Sequence, residues 1–227
     1  MATTSLLIAS AYFFCSIPTA YLLVKALKGI DLRTFGSGSV TGSNAGQALG
    51  KWAVIVVGIL DILKGAAPVW AAQALDQSTS EQMLAGIAGV IGHNWSAYLG
   101  FQGGRGMAVV IGVMLALAQL ELLLFIIVAI FGIAFIGNIP LVMGLAMLLA
   151  PMWAYVFDED AALIWGFGTI VLLIIVKRLT GNWTPLPPDG GRRTLLNRLL
   201  YDRDTKERHA WVKRTGVDNR APTQEAR

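Results

Sequence analysis

Two short polar segments hold most of the side chains in this sequence that could do chemistry. In the first, between Gly36 and Asn44, three glycines stand among three serines, a threonine and an asparagine. Glycines let neighbouring backbone N–H groups point inward and hydroxyls add donors, so the segment can form a concave nest for an anion. A helix capped by Ser43 or Asn44 would add the positive end of its dipole. No Gly-Lys-Ser/Thr follows, which excludes a nucleotide P-loop; a flexible loop is the alternative interpretation.

The second polar segment, residues 101–106, directly precedes a long apolar stretch. Gly103, Gly104 and Gly106 again lie before a predicted helix N-terminus. Arg105 adds a guanidinium, which can hold a phosphate through two hydrogen bonds. Taken alone, the segment is better explained as an interfacial turn whose arginine marks the inner side of a membrane. Two such segments in a chain with few polar residues favour phosphate binding.

Several ionisable residues lie inside apolar stretches, where charge is costly, and Asp61, Lys64 and His93 are those that could do chemistry. Asp61 and Lys64 are three residues apart and share one helix face, which predicts a structural ion pair or, alternatively, a contact with substrate. Gly65 and Pro68 after them indicate close packing or a bend. His93 is either a buried, hydrogen-bonded histidine or a group that orients substrate or accepts a proton.

The composition indicates an all-α polytopic integral membrane protein. Hydrophobic residues make up 55% of the 227 residues and charged residues 14%, against about 45–50% and about 25% in soluble chains. One cysteine, Cys15, excludes a disulfide framework, and with two histidines it leaves no Cys/His metal site. The net charge of +4 comes from the ends of apolar stretches and the C-terminal tail, so membrane topology explains it better than a nucleic-acid partner.

The apolar stretches match the length of membrane spans, which take about 20 helical residues. Five single spans are predicted, at residues 3–26, 52–75, 83–99, 141–157 and 161–176. The stretch 107–136 is too long for one span unless Glu121 lies in mid-bilayer, which costs about 2.5–3.5 kcal/mol. A helical hairpin would place Glu121 at a surface, so two short spans are predicted here.

The distribution of charge predicts the orientation. With seven spans and the N-terminus outside, the outer turns contain no Lys or Arg, and every basic residue except Lys64 lies on the inner side. Six spans would place the basic tail and the basic end of the first span on opposite sides, against the positive-inside rule. We therefore predict seven transmembrane helices, an outside N-terminus and a cytoplasmic C-terminus.

The chain divides into a transmembrane domain, residues 1–180, and a basic cytoplasmic tail, residues 181–227. A Pro/Gly linker at 184–191 ends any helix before the tail. Within the charged stretch 192–214, apolar residues recur at roughly helical spacing: Leu195, Leu196, Leu199, Leu200 and Trp211. This pattern predicts either a basic helix on the anionic inner leaflet or a small solvated helix that pins the C-terminus.

Five motifs, in order along the chain, carry a resemblance to a known family. They are Ser16-Ile17-Pro18, Gly36-Ser37-Gly38-Ser39 with Ser43-Asn44, Asp61-x-x-Lys64-Gly65, Gly92-His93, and Phe101-x-Gly103-Gly104-x-Gly106. Together they resemble the bacterial acyl-phosphate:glycerol-3-phosphate acyltransferase family, the PlsY type. Five ordered motifs are far more specific than any one of them.

The resemblance implies a seven-helix enzyme of the bacterial plasma membrane with its active site at the cytoplasmic face. Such enzymes transfer a fatty acyl group from acyl phosphate to the first hydroxyl of glycerol 3-phosphate, giving lysophosphatidic acid and phosphate. They use neither acyl-CoA nor acyl carrier protein, and no metal or other cofactor. The expected partners are these two substrates and membrane lipids, with no nucleic acid, and the oligomeric state stays open.

On this resemblance, the first polar segment holds the leaving phosphate, Arg105 holds the donor or acceptor phosphate, and His93 orients groups or assists deprotonation. The expected catalytic residues are Ser37, Ser39, Asn44, His93 and Arg105. The expected substrate-binding residues are Arg33, Gly36, Gly38, Ser43, Asp61, Lys64, Gly103, Gly104, Gly106 and Asn138.

Some positions depart from the family pattern, mainly among those associated with glycerol 3-phosphate. Gln47 or a neighbour lies where the family has an arginine, and Leu172 and Ile175 lie where it has His and Asn. One explanation is that Asn138, Asn182 and tail arginines replace the missing groups. The others are a different acceptor alcohol, lost activity, or a non-catalytic binder or transporter of anionic lipids or phosphate esters.

Overall fold

The computed structural model describes residues 2–187 and 190–207, and every regular element in that part of the chain is a helix. The α-helices described there are α1 (Ala2–Ser16), α2 (Thr19–Lys28), α3 (Gly42–Leu49), α4 (Lys51–Ala74), α5 (Thr79–Asn94), α6 (Met107–Leu117), α7 (Gln119–Ile136), α8 (Ile139–Val156), α9 (Ala161–Thr180) and α10 (Gly191–Tyr201). Short 3-10 turns, Ala97–Leu99 and Gly181–Trp183, follow α5 and α9.

Five helical segments are long and apolar enough to cross a membrane. They are Thr3–Lys28, which joins α1 and α2, and helices α4, α7, α8 and α9. The predicted third and fourth spans form shorter helices: α5 has 16 residues and α6 has 11, about 24 Å and about 17 Å at the usual helical rise. The all-helical architecture is confirmed, with five segments of spanning length in the described residues where seven were predicted.

The apolar stretch 107–136 forms the predicted helical hairpin of α6 and α7. Its turn is at Ala118, where φ −148° and ψ 66° interrupt the helix. Glu121 lies in the first turn of α7, close to the turn of the hairpin, and its side chain is buried at 1% exposure. Neither carboxylate oxygen has a hydrogen-bond partner among the described residues. Glu121 is therefore buried in the protein, whereas Gln119 and Leu120 beside it at the tip of the hairpin are exposed.

The first span is broken between α1 and α2 by Pro18, since proline has no N–H and clashes with the preceding turn. Distant side chains bond to the carbonyl groups that this break frees. Lys64 Nζ donates to Ile17 O at 2.9 Å, and Ser96 Oγ donates to Ser16 O at 2.5 Å. Backbone polar groups at membrane depth need such partners. Through these bonds, α4 and the segment after α5 both contact the break in the first span.

Glycines set the distance between α4 and α6 near this break. A Cβ atom on Gly65 would lie 2.1 Å from Val109 O, and one on Gly112 would lie 2.0 Å from Ile62 O. This is the small-residue packing typical of membrane helices, and it confirms that Gly65 marks close packing. The main apolar core, formed by α4 to α9, lies beside this contact.

The tail helix α10 is shorter than the predicted stretch 192–214. It ends at Tyr201, because Asp202 adopts a left-handed backbone conformation with φ 55°. α10 packs against α8 and α9, with Thr194 and Arg198 buried. The predicted contribution of Trp211 lies outside the described residues. In the part that is described, the tail is therefore docked on the helical bundle.

Candidate active site

Asn44 organises the first polar segment from the inside. The residue is fully buried, and its Oδ1 accepts a hydrogen bond from Ser37 N at 3.2 Å. Its Nδ2 donates to Phe35 O and Ser39 O, each at 2.9 Å. Both ends of the amide are thus used within the segment. Asn44, which the sequence places among the catalytic residues, lies where it shapes the loop.

Three hydroxyl groups form a row along the same segment. Ser37 Oγ lies 2.7 Å from Ser39 Oγ, which lies 3.2 Å from Thr41 Oγ1. Gly36 and Gly38, with φ of 58° and 68°, turn the chain on either side of Ser37 in a backbone region that favours glycine. The segment therefore presents side-chain donors along one short curved stretch.

The N-cap of α3 is Thr41, whose hydroxyl accepts from Asn44 N at 3.4 Å. The prediction that Ser43 or Asn44 caps this helix is wrong, because both residues already lie in its first turn. Ser43 is exposed there. The positive end of the helix dipole still belongs to the first polar segment, as predicted.

Arg33 lies apart from the other expected site residues. Its NH2 group pairs with Asp31 Oδ2 at 2.7 Å, and its guanidinium lies over the Tyr21 ring. The hydrogen bond from Arg33 holds the pKa of the Asp31 carboxyl below its usual value. This local pairing explains why the expected substrate contact of Arg33 is not found at the pocket described below.

The second polar segment wraps tightly around the end of α5. A Cβ atom on Gly104 would lie 2.1 Å from His93 Nε2, and one on Gly103 would lie 2.3 Å from His93 O. Gly106 has φ 74°, which favours glycine. Asn182 holds the segment from the other side: its Oδ1 accepts from Gly103 N at 3.4 Å, and its Nδ2 donates to Gly103 O at 3.2 Å.

Asp61 and Lys64 form the predicted ion pair, with Nζ 2.9 Å from Oδ1. Lys64 also donates to Thr19 Oγ1 at 3.1 Å, and Thr19 donates to Asp61 Oδ1 at 2.9 Å. These bonds give Lys64 a structural position at the break in the first span. His93 Nδ1 lies 3.9 Å from Asp61 Oδ1, so the carboxylate also faces the imidazole.

Both polar segments line one pocket, which has a volume of about 850 Å³. The expected site residues that line it are Ser37, Ser39, Ser43, Asp61, His93, Arg105, Gly106 and Asn138. The expected residues Gly103 and Gly104 line a smaller cavity that shares Asp61 and His93 with the pocket. The remaining ones, Arg33, Gly36, Gly38, Asn44 and Lys64, are not among the lining residues.

Arg105 and Arg178 are among the basic residues that give the pocket positive charge. Arg105 Nε lies 3.0 Å from Asp202 Oδ2, and its NH1 donates to Lys177 O at 3.4 Å. Arg178 donates to Pro140 O at 2.6 Å. Burial raises the pKa of the Asp202 carboxyl above its usual value, although the Arg105 guanidinium favours the charged form. The guanidinium predicted to hold phosphate is therefore paired with a carboxylate from the tail.

Sequence reasoning missed several residues that line this pocket. They are Thr41 in the first segment and Tyr201, Asp202 and Lys206 in the tail. Thr41 could have been found as a third hydroxyl in the Gly/Ser pattern. The tail residues have no local signal, since nearly a hundred positions separate them from Arg105.

Comparison with known proteins places the chain among acyltransferases. The family model described as glycerol-3-phosphate acyltransferase matches residues 5–184. The chain is 33% identical over 225 residues to glycerol-3-phosphate acyltransferase 5 of Dehalococcoides mccartyi, with 96% of this chain and 94% of that relative covered.

Two crystal structures of PlsY, an integral membrane glycerol 3-phosphate acyltransferase, are similar in fold. The glycerol 3-phosphate form is 30% identical with a TM-score of 0.72, covering 78% of this chain and 88% of that one. The lysophosphatidic acid form is 27% identical with a TM-score of 0.70, covering 86% and 93%. Since the matched region contains both polar segments, α1 to α9 and most of the pocket, the chain belongs to the glycerol-3-phosphate acyltransferase family.

Proposed function

We propose that this chain transfers a fatty acyl group from acyl phosphate to glycerol 3-phosphate, producing lysophosphatidic acid and phosphate. The convergence of the two polar segments on one pocket carries the proposal. The related PlsY structures, described as glycerol 3-phosphate and lysophosphatidic acid forms, support the acceptor and the product.

The hydroxyl row is the proposed site of the donor phosphate. Ser37, Ser39 and Thr41 all line the pocket, and each hydroxyl can rotate to donate to an anion. The N-terminus of α3 adds its positive dipole end at the same wall. Arg105 and Arg178 can balance the charge that grows on the phosphate as it leaves.

The reaction forms one bond and breaks one at the acyl carbon. The hydroxyl oxygen of glycerol 3-phosphate attacks this carbon, and the bond from the carbon to the phosphate oxygen breaks. His93 lines the pocket and is the proposed acceptor of the hydroxyl proton, with the Asp61 carboxylate 3.9 Å from its Nδ1. The proton then passes to the leaving phosphate. Acyl phosphate has a good leaving group, so no covalent enzyme intermediate is needed.

The fatty acyl chain is proposed to lie against the apolar wall of the same pocket. This wall comes from α4, α6 and α8, with residues such as Val57, Gly58, Ile62, Ile111 and Met143. Burying each methylene group contributes about 0.8 kcal/mol. The wall can therefore supply affinity for a long chain without further polar contacts.

The proposed topology has seven crossings, made by the five long segments and the shorter helices α5 and α6. Local thinning of the bilayer can accommodate the short ones. Lys25 and Lys28 at the end of α2, and Lys177 and Arg178 at the end of α9, support a cytoplasmic position for the first polar segment and the tail. The N-terminus then lies outside the bacterial plasma membrane, and residues 1–180 form the transmembrane domain.

Purified protein in liposomes, supplied with acyl phosphate and glycerol 3-phosphate, tests the proposal. We expect phosphate and lysophosphatidic acid in equal amounts, and no product with acyl-CoA or acyl carrier protein as donor. Phosphate release that does not depend on glycerol 3-phosphate but increases when another alcohol is added would show that the acceptor is that alcohol. If these ligands protect the protein but are not converted to product, the chain is a binding protein and not an enzyme.

A further inference from the structure

The C-terminal tail forms one wall of the pocket. Tyr201, Asp202, Arg203 and Lys206 line it together with the two polar segments. Residues after position 184 lie beyond the region that the family model matches. The tail thus adds charged groups to a site that the rest of the chain already encloses.

The tail is held at this wall by specific bonds to the last carbonyl groups of α10, which a helix leaves unpaired. Arg178 NH1 donates to Leu199 O at 2.9 Å, and Asn138 Nδ2 donates to Leu200 O at 3.3 Å. Both donors come from the bundle, one from the end of α9 and one from the N-cap of α8. The position of Asp202, two residues further on, follows from this docking.

Arg198 fixes the same helix from its buried face. It donates to Leu179 O and Thr184 O, each at 2.9 Å, and pairs with Asp204 at 2.6 Å. If either the carbonyl partners or the carboxylate partner were removed, the buried Arg198 guanidinium would lose part of its compensation, which is costly. The end of α10 is therefore a defined part of the folded protein.

Asp202 pairs with Arg105 through a carboxylate oxygen, which takes the place that a phosphate oxygen would have. Its Oδ2 lies 3.0 Å from Arg105 Nε. Its other oxygen, Oδ1, is buried and has no hydrogen-bond partner among residues 2–187 and 190–207. A carboxylate with one oxygen unpartnered is held less firmly than a phosphate, which brings more charge and three terminal oxygens to the same donors.

We propose that Asp202 is an internal anion that holds Arg105 in the free protein and gives way to the phosphate of a substrate, so that the tail sets the pocket's affinity for phosphate. This inference rests on the proposed function, because it assigns the displaced position to the substrate of that reaction. The ligand chemistry is a phosphate group, which both the acyl phosphate donor and glycerol 3-phosphate supply.

Calorimetric titration of full-length protein with inorganic phosphate tests the inference without turnover. Asp202→Asn removes the competing charge and keeps the left-handed backbone, which asparagine tolerates. We expect the Kd of phosphate to fall by about two- to fivefold, the range of a partly exposed ion pair. In an Arg105→Gln background, the same substitution should give no gain.

Asp158→Asn is the matched control, because Asp158 also has φ 55° and follows a helix, but does not line the pocket. It should leave the Kd unchanged. A folded Asp202→Asn variant with unchanged or weaker phosphate binding would overturn the inference, and so would an equal gain without Arg105. If Asp202→Asn is not recovered folded, Asp202→Gly against Asp158→Gly repeats the comparison.

Kinetic measurements separate this inference from the proposed function. Asp202→Asn should lower the KM of whichever substrate displaces the carboxylate, acyl phosphate or glycerol 3-phosphate. Tighter phosphate binding in a protein without acyltransferase activity would contradict the proposed function and leave the inference intact. Normal acyl transfer with no change in phosphate affinity would contradict the inference alone.

Discussion

Individual side chains at this site divide into those that touch the pocket and those that shape it. Ser37, Ser39 and Arg105 line the pocket and carry donors for an anion. Asn44 and Lys64 are buried and bonded to the backbone of their surroundings. Donors that are positioned in advance need no reorganisation when charge develops, which is the usual source of electrostatic catalysis. Asn44 and Lys64 therefore act by positioning the residues that line the pocket.

The hydroxyl row is tested by changing Ser37 and Ser39 together to Ala. We expect the KM for acyl phosphate to rise by about tenfold, because two neutral hydrogen bonds to the ligand are lost, at about 0.5–1.5 kcal/mol each. The free energy of unfolding should change little, since both residues are partly exposed. Thr34→Ala is the control, because Thr34 lies just before the first polar segment, where its hydroxyl bonds to Asp31 O outside the pocket. Equal losses of binding and stability would refute the assignment.

The forked guanidinium of Arg105 is tested by Arg105→Lys. Lysine keeps the charge but cannot donate two parallel hydrogen bonds, so kcat/KM should fall by about tenfold or more. Arg33→Lys makes the same change at an arginine that pairs with Asp31 away from the pocket, and it should keep most of the activity. Full activity of Arg105→Lys would show that Arg105 does not hold phosphate and only marks the inner side of the membrane.

At the scale of elements, the pocket combines polar loops with apolar helix faces. The loops after α2 and after α5 supply the donors, and α4, α6 and α8 supply the wall proposed for the acyl chain. A binding site on loops needs a rigid scaffold. Here the close contact between α4 and α6, at Gly65 and Gly112, provides it.

Gly58 tests the position of the acyl chain. It lines the pocket on α4, and a Cβ atom there would meet nothing within 4 Å. Gly58→Leu should therefore fold and fill part of the groove, so that the preference shifts to shorter acyl chains. Excluding two methylene groups of the longest donor costs about 1.6 kcal/mol, or about fifteenfold in kcat/KM.

Gly168→Leu is the matched control for the groove. Gly168 on α9 also has open space around its Cβ position but does not line the pocket. It should leave the chain-length profile unchanged, as measured with a series of acyl phosphates. If Gly58→Leu and Gly168→Leu gave the same chain-length profile, the proposed position of the acyl chain would be contradicted.

The sequence predicts these elements well where a physical length or pattern decides them. Apolar stretches measured against a bilayer identify α4, α7, α8 and α9, and the glycine segments identify the two loops. The burial of Glu121 could not be predicted, because it depends on how α7 packs against distant helices. The contact between Arg105 and Asp202 could not be predicted either, since only the docking of α10 brings them together.

At the scale of the whole molecule, the proposed reaction requires both polar segments and the tail to face the cytoplasm. The charge distribution supports this proposed orientation, with basic residues at one end of the bundle and the acidic turn 158–160 at the other. Substrates and leaving phosphate would then exchange with the cytoplasm, while the acyl chain stays in contact with the bilayer.

Labelling with a membrane-impermeant thiol reagent tests this orientation. The native Cys15 is buried, so single cysteines can be added without removing it. Asp158→Cys should react in intact cells, whereas Thr34→Cys should react only after the cells are opened. The reverse pattern would place the pocket on the outer face and contradict the topology.

A structure with a non-hydrolysable acyl phosphonate bound tests most directly whether the two polar segments form one phosphate site. We expect the phosphorus to lie in the pocket between the Ser37–Thr41 hydroxyls and the second polar segment, with the acyl chain along α4. A phosphonate bound outside this pocket, or one that contacts neither polar segment, would contradict it.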